Sequence, residues 1–314
     1  MANILITGGA GFIGSNLAKL LLAKDHRVYI IDDLSTGSII NIPERAVFYE
    51  GKTEDKKLLN KLIDKNIEII FHFSGQSSGE ISFDDPLEDL SCNTASTLAL
   101  CDFMIENDIK KIFYASSVCV YGDPKEFPSK EKDIRAEKIK GFYGIGKLAS
   151  ENYLRLYHEN YGIDATCLRL FTIYGPGQNM SNLRQGMVSI FMELIMSGEN
   201  PIVIRGSLDR FRDLLNIDDL LEILSRLLEL DLNGYHIFNV GTGHKTTVGE
   251  IIQLICKTLN MNPTILTKGN TLGDFFGAQA DIKKLTDLIN FVPQISARDG
   301  ITSYVKWYRD IRES

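Results

Sequence analysis

The chain has 314 residues, of which 44% are hydrophobic and 24% charged, and its formal net charge is −7. This composition is ordinary for a globular protein, and the acidic balance gives no overall attraction for nucleic acid or anionic membranes, so we expect neither as a partner. Five cysteines without a C-x-x-C pair predict reduced thiols in a cytoplasmic protein rather than disulfides or a zinc site. Apolar runs are too short for a membrane helix, and we expect no signal peptide before the first strand.

Short apolar runs alternate with amphipathic stretches over residues 1–175. Strands are predicted at 3–7, 27–32, 47–49, 68–73, 111–116 and 165–171. Helices are predicted at 14–24, 56–65, 94–107 and 143–161. Strands that alternate with helices form βαβ units, so this part of the chain predicts a parallel sheet covered on both faces.

The pattern changes after residue 175, where the sequence GPGQ indicates a turn. Further elements are predicted as helices at 185–197 and 247–259 and strands at 202–204 and 236–240. The segment 262–280 is predicted to be irregular. We expect a sheet domain in residues 1–175 and a smaller lobe mainly in 176–314, with the strand near 236–240 returning to the sheet.

Glycines at positions 8, 11 and 14 follow the first predicted strand and open the first predicted helix, in the segment TGGAGFIG. This spacing between a strand and a helix is typical of dinucleotide-binding loops. Gly8 permits the tight turn, Gly11 lets the backbone approach a pyrophosphate, and Gly14 lets the helix pack closely. Asp32 ends the second strand, where a carboxylate accepts hydrogen bonds from a ribose and repels a 2′-phosphate. The pattern therefore predicts NAD rather than NADP.

Tyr143 and Lys147 are four residues apart on a predicted helix and therefore share a face. Ser117 follows the fifth strand, and the carboxyl ends of such strands are where an open parallel sheet binds its ligand. A phenol normally titrates near ~10, and the nearby ammonium of Lys147 favours the phenolate. We predict that Tyr143 acts as an acid–base group, that Lys147 lowers its pKa, and that Ser117 hydrogen-bonds the reacting hydroxyl.

Several segments together carry a family resemblance: TGGAGFIG at 7–14, SSVCVYG at 116–122, YGIGK at 143–147, LRLFTIYGPGQ at 168–178 and RD at 212–213. Through them, nearly the whole chain resembles the extended short-chain dehydrogenase/reductase family. It looks most like nucleotide-sugar epimerases of the UDP-galactose 4-epimerase type. The resemblance implies a Rossmann-type doubly wound parallel sheet that binds NAD, with a smaller α/β substrate-binding lobe. It also implies a homodimer through the helices at 94–107 and 143–161, although the chain itself could equally cover their apolar faces.

The resemblance assigns roles to individual residues. The catalytic residues are Ser117, Tyr143 and Lys147. The cofactor-binding residues are Gly8, Gly11, Phe12, Ile13, Gly14, Asp32, Asp33, Ser35, Thr36, Gly37, Phe73, Asn93, Tyr143 and Lys147. The substrate-binding residues are Ser77, Ser117, Thr172, Asn182, Arg212 and Ala278, with Arg212 on the diphosphate of a UDP-hexose. No metal site is expected, since His158 and His244 lack ligand-spaced partners and His72 ends a buried strand as a structural residue.

The implied reaction is a 4-epimerisation through transient oxidation. Tyr143 removes the proton of O4 while hydride passes from C4 to NAD, the keto sugar turns over, and hydride returns to the opposite face. Because this cycle is redox-neutral, NAD stays bound and supplies the hydride chemistry. Two alternatives stay open: a reductase, dehydrogenase or 2-epimerase of nucleotide deoxysugars, and a non-catalytic NAD-binding regulator, since fold alone does not fix function.

A few positions depart from the pattern of related enzymes. Val118 and Cys119 lie where related dehydratases carry an Asp-Glu pair and decarboxylases a glutamate, so those two reactions are disfavoured. Thr271 replaces an expected second diphosphate arginine. The position that gates the sugar falls near Ala278, and its small side chain leaves room for an acetamido group. We therefore expect UDP-N-acetylhexosamines to fit, unless a neighbouring phenylalanine fills the space.

Overall fold

The computed structural model describes residues 1–313. The strands are β1 (Asn3–Thr7), β2 (Arg27–Asp32), β3 (Val47–Glu50), β4 (Ile69–His72), β5 (Lys111–Ser117), β6 (Asp164–Leu170), β7 (Thr172–Tyr174), β8 (Ile202–Arg205), β9 (Phe211–Arg212), β10 (Leu214–Asn216), β11 (Tyr235–Val240), β12 (Thr246–Thr247) and β13 (Ile265–Lys268). The α-helices are α1 (Phe12–Ala23), α2 (Lys56–Leu59), α3 (Pro86–Leu90), α4 (Ser96–Glu106), α5 (Phe142–Tyr161), α6 (Met187–Met196), α7 (Ile217–Glu229), α8 (Val248–Leu259), α9 (Lys283–Ile289) and α10 (Ala297–Glu313).

The central sheet has seven parallel strands in the order β11-β6-β5-β4-β1-β2-β3. Strands buried on both faces read as continuous apolar runs, and β1 is such a run. Its Ile4 and Ile6 pack with α1 and α7 on one face of the sheet. Leu5 points to the opposite face and packs with α4 and α5. Helices therefore cover both faces, which is the doubly wound arrangement that the sequence predicts.

The strand predicted at 236–240 lies at the edge of this sheet, where β11 pairs in parallel with β6. Strand order reverses between β1 and β4, which is the point at which an open α/β sheet binds ligands beyond its carboxyl ends. The sheet therefore brings the segments after β1, β4 and β5 to a common edge.

The C-terminal lobe has its own apolar core, formed mainly by α6, α8 and α10. One short ladder, β10 with β7, joins this part to residues 1–175, whereas the ladders β12 with β9 and β13 with β8 lie within it. A capping box between Thr247 and Glu250 begins α8, because each residue satisfies a free N–H group of the other. Among the described helices, none has the length and apolar character that crossing a bilayer requires.

Two predicted elements differ from the structure. The helix predicted at 56–65 is α2 followed by a 3-10 helix at Asn60–Lys65, which keeps the buried Leu59 and Leu62 aligned three residues apart. The prediction of an irregular segment at 262–280 was wrong for β13, which pairs in parallel with β8. Most β13 side chains are exposed, so no apolar alternation marks the strand, and only its hydrogen bonds to β8 define it.

Candidate active site

A cavity of about 1120 Å³ lies along the carboxyl ends of β1, β4 and β5 and is closed on its other side by the C-terminal lobe. Sites for a single small molecule usually measure ~300–1,000 Å³. The lobe contributes α6 and residues of the segments 203–212 and 271–275. A cavity of this size and position has room for two ligands, one along the sheet and one under the lobe.

The glycine turn after β1 brings the backbone close to this cavity. Gly8 has a φ of +71°, and a Cβ there would lie 2.7 Å from the carbonyl carbon of Phe73. A Cβ on Gly14 would lie 2.2 Å from the carbonyl oxygen of Gly8, so both positions need glycine. Helix α1 begins at Phe12, and its N-cap, Gly11, makes no side-chain hydrogen bond to the first turn. The N–H groups of that turn can therefore bind a phosphate, which favours the cofactor prediction.

Asp32 is buried at the end of β2 and lines the cavity. Its Oδ2 accepts a hydrogen bond from the backbone N–H of Ala10 at 2.9 Å, and its Oδ1 accepts one from Leu34 at 2.8 Å. Burial raises the pKa of Asp32, and these backbone donors oppose that shift. Each carboxylate oxygen keeps acceptor capacity for a ribose hydroxyl. Asp33 instead accepts hydrogen bonds from the backbone and hydroxyl of Ser35, which shapes the turn.

Ser117, Tyr143 and Lys147 come together at the centre of the cavity wall. Ser117 ends β5, and the other two lie on the buried face of α5. The hydroxyl of Ser117 lies near the phenol of Tyr143, and its interaction with the phenol favours the phenolate. The Nζ of Lys147 lies 5.6 Å from the ring centroid of Tyr143 and 5.0 Å from that of Tyr114. The spacing of four residues thus places a phenol, a hydroxyl and an ammonium in one group.

The protonation of this group differs from the sequence-based expectation. Burial raises the pKa of Tyr143 well above its ordinary value, and the interaction with the Ser117 hydroxyl opposes that shift only in part. Burial also lowers the pKa of Lys147 to about 8. The expectation that Lys147 holds the pKa of Tyr143 low is therefore not met by these side chains alone, because desolvation of the buried phenol is the largest effect on its pKa. A further positive charge beside the phenol is needed to favour the phenolate.

Glu151 anchors this group from one turn further along α5. It accepts hydrogen bonds from Nε and Nη2 of Arg169 on β6 at 2.9 and 2.7 Å. It also accepts one from the hydroxyl of Ser116, the neighbour of Ser117 on β5. Glu151 and Arg169 are both fully buried, so their charges depend on each other. This pair fixes α5 against β5 and β6.

His72 has the structural role that its position in the sequence suggests. Its Nδ1 lies 2.8 Å from the hydroxyl of Thr7, and its Nε2 lies 3.0 Å from that of Thr97. Burial and the charge of Lys147 lower the pKa of His72 to about 3, so the ring is neutral. It links β1, β4 and α4. Within residues 1–313, no group of three potential metal ligands is present.

The structure brings most of the predicted site residues to the cavity. Those that line it are Gly8, Gly11, Phe12, Ile13, Gly14, Asp32, Asp33, Ser35, Thr36, Phe73, Ser77, Ser117, Tyr143, Lys147, Thr172 and Arg212. Gly37 instead packs against the backbone of Ala10. Asn93 is buried behind the wall, where its amide donates to the carbonyl of Gln76. Asn182 also lies outside the lining and donates to the side chain of Gln185.

Ala278 is not at the cavity. It is 1% exposed and packs in an apolar cluster with Tyr121 and Phe171. Its N–H donates to the carbonyl of Phe211, which directs the small side chain into that cluster. Phe275, three residues earlier, lines the cavity instead. The expectation that the size of Ala278 directly sets room for an acetamido group is therefore not met, because counting residues from a motif does not give side-chain direction.

Arg210 and Asp274 line the cavity but were not among the predicted site residues. The side chain of Asp274 forms ion pairs with both Arg210 and Arg212. Arg212 also stacks on Phe275, with its Cζ 4.3 Å from the ring centroid. The sequence carries a signal for Arg210, since the alternation Arg-Phe-Arg around β9 places two arginines on one side of an extended chain.

Val118 and Cys119 follow Ser117 directly and also line the cavity. Neither carries a carboxyl group that could act as an acid on a bound sugar. Burial raises the pKa of the Cys119 thiol, so this side chain is a neutral part of the wall. The two positions directly after Ser117 therefore supply no carboxylic acid to the cavity.

Comparison with known proteins places this geometry in context. The sequence model of the NAD dependent epimerase/dehydratase family matches residues 4–241 of this chain. A putative UDP-glucose 4-epimerase from Methanocaldococcus jannaschii is 32% identical over 308 residues, which cover 98% of each chain.

Two solved structures are similar over almost their whole length. One is a UDP-glucose 4-epimerase with UDP-glucose from Thermotoga maritima, with a TM-score of 0.93, 31% identity and 99% coverage of both chains. The other is a UDP-N-acetylglucosamine 4-epimerase from Methanobrevibacter ruminantium in complex with UDP-N-acetylmuramic acid, with a TM-score of 0.89, 30% identity and 99% coverage of both chains.

Proposed function

Because this chain belongs to the NAD-dependent epimerase/dehydratase family, we propose that it interconverts UDP-hexoses that differ in configuration at C4. The observation that carries the proposal is the group of Ser117, Tyr143 and Lys147 in the cavity, followed after Ser117 by two residues without a carboxyl group. One acid–base group is sufficient to move the proton of a sugar hydroxyl. Dehydration or decarboxylation calls for a further acidic side chain, and Val118 and Cys119 do not supply it.

The residues present fit NAD. The glycine turn and the N-terminus of α1 would hold its pyrophosphate, and the carboxylate of Asp32 would accept hydrogen bonds from the adenosine ribose. Lys147 would bind the nicotinamide ribose and its charge would act on Tyr143. When bound, NAD supplies a positively charged hydride acceptor and then returns the hydride.

The protein's own side chains move the proton of the sugar hydroxyl. Tyr143 takes the proton of the sugar O4, and the neighbouring hydroxyl of Ser117 orients that O4. The ammonium of Lys147 stabilises the phenolate electrostatically. The large cavity lets the oxidised sugar present its other face before the phenol returns the proton.

A panel of nucleotide sugars tests this proposal. Purified protein is incubated with trace NAD and UDP-glucose, UDP-galactose, UDP-N-acetylglucosamine or UDP-N-acetylgalactosamine, and the products are followed by NMR. We expect C4 epimers without net NADH. If the protein instead consumes NADH stoichiometrically in an incubation with NADH and a nucleotide keto sugar, it is a reductase. Conversion of UDP-galactose but not of acetylated sugars would restrict the substrate to unmodified hexoses.

We further propose a homodimer through α4 and α5. Phe142, Ile145, Tyr153 and Leu156 form an exposed apolar stripe on α5, opposite its catalytic face. Ile105 adds an exposed apolar side chain on α4. An exposed stripe of this kind is typical of a surface that a second subunit covers. Two such helix pairs would pack around a twofold axis as a four-helix bundle.

A cytoplasmic location is also proposed. The support for it is that all five cysteines are free thiols. Thiols persist in reducing compartments, whereas oxidising ones favour disulfides.

A further inference from the structure

Two buried charged side chains near the phenol of Tyr143 have no direct ion-pair partner. Lys147 and Asp89 are each 3% exposed. In the part of the chain that the structure describes, no ion pair includes either of them, whereas the buried Glu151 and Arg169 pair with each other at 2.7 Å. Burying a charge is costly unless an opposite charge lies nearby, so we searched the surroundings of Lys147 for its counter-charge.

Asp89 lies on α3 and faces α5, the helix that carries Lys147. The two helices come close because residue 146 is a glycine. A Cβ there would lie 3.3 Å from Oγ1 of Thr94 and 3.7 Å from Oδ2 of Asp89. Cys92, which follows Asp89 by three residues, lines the cavity together with Lys147. The carboxylate of Asp89 therefore lies just behind the part of the wall that carries the ammonium.

Two side-chain amides hold the Asp89 carboxylate in place. Nε2 of Gln76 donates to its Oδ1 at 3.0 Å, and Nδ2 of Asn93 donates to the same oxygen at 3.1 Å. Burial raises the pKa of Asp89, whereas these two hydrogen bonds and the charge of Lys147 oppose that shift. Neutral donors stabilise a carboxylate without cancelling its charge, so Asp89 keeps a negative field that acts on its surroundings.

The other titratable groups around Lys147 are neutral near pH 7. They come from β4, β5, α5 and the segments after α3 and β5, and they are His72, Tyr114, Tyr143, Cys92 and Cys119. Burial raises the pKa of the two phenols and the two thiols, and it lowers the pKa of the imidazole to about 3. Burial also lowers the pKa of Lys147 to about 8, and the carboxylate whose charge opposes this is Asp89.

We propose that Asp89 is the counter-charge of Lys147, a positioning residue that keeps the ammonium charged beside Tyr143 without touching the substrate. This inference rests on the proposed function and adds to it a residue behind the cavity wall. The counter-charge matters more once NAD is bound, because the nicotinamide ring is also positive. Burial is the main cause that raises the pKa of Tyr143, and the charge of Asp89 adds to it. Asp89 therefore acts on both acid–base groups, in favour of their protonated forms.

The experiment follows Lys147 directly by NMR. Full-length protein, freed of NAD, carries ¹³C at the Cε of lysine, and the resonance of Lys147 is identified by its absence in Lys147→Met. Asp89→Asn removes the charge but keeps an oxygen that can accept both amide hydrogen bonds. The control, Asp85→Asn, removes an exposed carboxylate at the start of the same helix and keeps the capping oxygen. We expect the pKa of Lys147 to fall from about 8 by roughly 1 in Asp89→Asn, and not to change in the control.

The pH dependence of turnover gives a second measurement, on the NAD-loaded enzyme. Loss of the carboxylate favours both the neutral amine of Lys147 and the phenolate of Tyr143. Both limbs of the pH–rate profile should therefore move to lower pH in Asp89→Asn. Asp89→Glu restores the charge and should return the limbs towards their original positions. A purely structural role for Asp89 would lower turnover equally at every pH and leave both limbs in place, which would overturn the proposal.

The NMR outcomes decide the pairing independently of turnover. An unchanged pKa of Lys147 in Asp89→Asn, or an equal fall in Asp85→Asn, overturns it. If Asp89→Asn does not fold, the reciprocal measurement decides, because coupling between two charges is mutual. Lys147→Met should then raise the pKa of the Asp89 carboxyl, and an unchanged value overturns the pairing. If the pKa of Lys147 falls as expected but no nucleotide sugar is turned over, the pairing stands while the proposed function fails.

Discussion

The two sides of the cavity are built differently. On the sheet side, strand ends, a glycine turn and the buried Glu151–Arg169 pair hold the side chains of the cavity wall in place. On the lobe side, short ladders carry arginines whose excess charge one aspartate balances only in part. The comparison teaches that buried hydrogen bonds and close backbone packing hold the sheet side, whereas ion pairs between loops hold the lobe side.

Among the substitutions that test whether the two sides of the cavity act independently, Tyr143→Phe should have the largest effect. Removing the phenolic hydroxyl deletes the acid–base group, so turnover should fall roughly 10²- to 10⁴-fold, while the Kd for UDP stays within about twofold, since the lobe side is unchanged. Turnover rates and calorimetric Kd values for UDP, measured on the same preparations, check the two expectations. Tyr153→Phe, on the exposed side of the same helix, is the matched control. Weaker UDP binding in Tyr143→Phe would show that the two sides are not independent.

Glu151→Gln tests how firmly the sheet side is fixed. The substitution leaves Arg169 buried without its counter-charge, so the free energy of unfolding should fall by about 3–5 kcal/mol. Glu159→Gln, near the end of the same helix, breaks only an exposed pair with Arg155 and should cost at most ~1 kcal/mol. Urea denaturation measures both variants. If both variants lose the same small amount of unfolding free energy, Glu151 does not anchor α5.

Lys147→Met should raise stability rather than lower it, in protein stripped of cofactor. Because burial depresses the pKa of Lys147 from 10.5 to about 8, the charged lysine destabilises the folded protein below pH 8 by roughly 3 kcal/mol. This penalty is lost as the pH rises from 8 to 10.5. Unfolding curves should therefore favour Lys147→Met at pH 7 and converge with the unmodified protein near pH 10. Lys61→Met, on the surface, serves as the control, and a gain that is independent of pH would contradict this interpretation.

The smallest effect is expected for Leu156→Glu. A charge in the exposed stripe of α5 should convert the proposed dimer to monomers, because it prevents the apolar faces from packing. Turnover should fall a few-fold as α5 loosens, with UDP affinity unchanged. Analytical ultracentrifugation measures the association, with Leu288→Glu on the exposed side of α9 as the control. If the Leu156→Glu variant is still a dimer, the contact between the subunits lies elsewhere.

Much of the sheet side could be predicted from the sequence. Three local patterns predict it: the glycine spacing, Asp32 at a strand end, and the four-residue step from Tyr143 to Lys147. A helix places residues with this step on one face, and parallel strands bring their ends to one edge of the sheet. The protonation of Tyr143 could not be predicted this way, because desolvation depends on everything that packs around the phenol.

The lobe side shows the limit of local patterns. Counting residues placed Ala278 at the sugar, yet a hydrogen bond to Phe211 turns it into an apolar cluster. Arg210 and Asp274 are 64 residues apart in the chain and meet only in the folded protein. The sequence by itself determined the sheet, the glycine turn and the meeting of Ser117, Tyr143 and Lys147 in one cavity, because their periodicities are short. Only the tertiary structure decided which charges meet at the substrate end, because those contacts join distant loops whose side-chain directions no local periodicity sets.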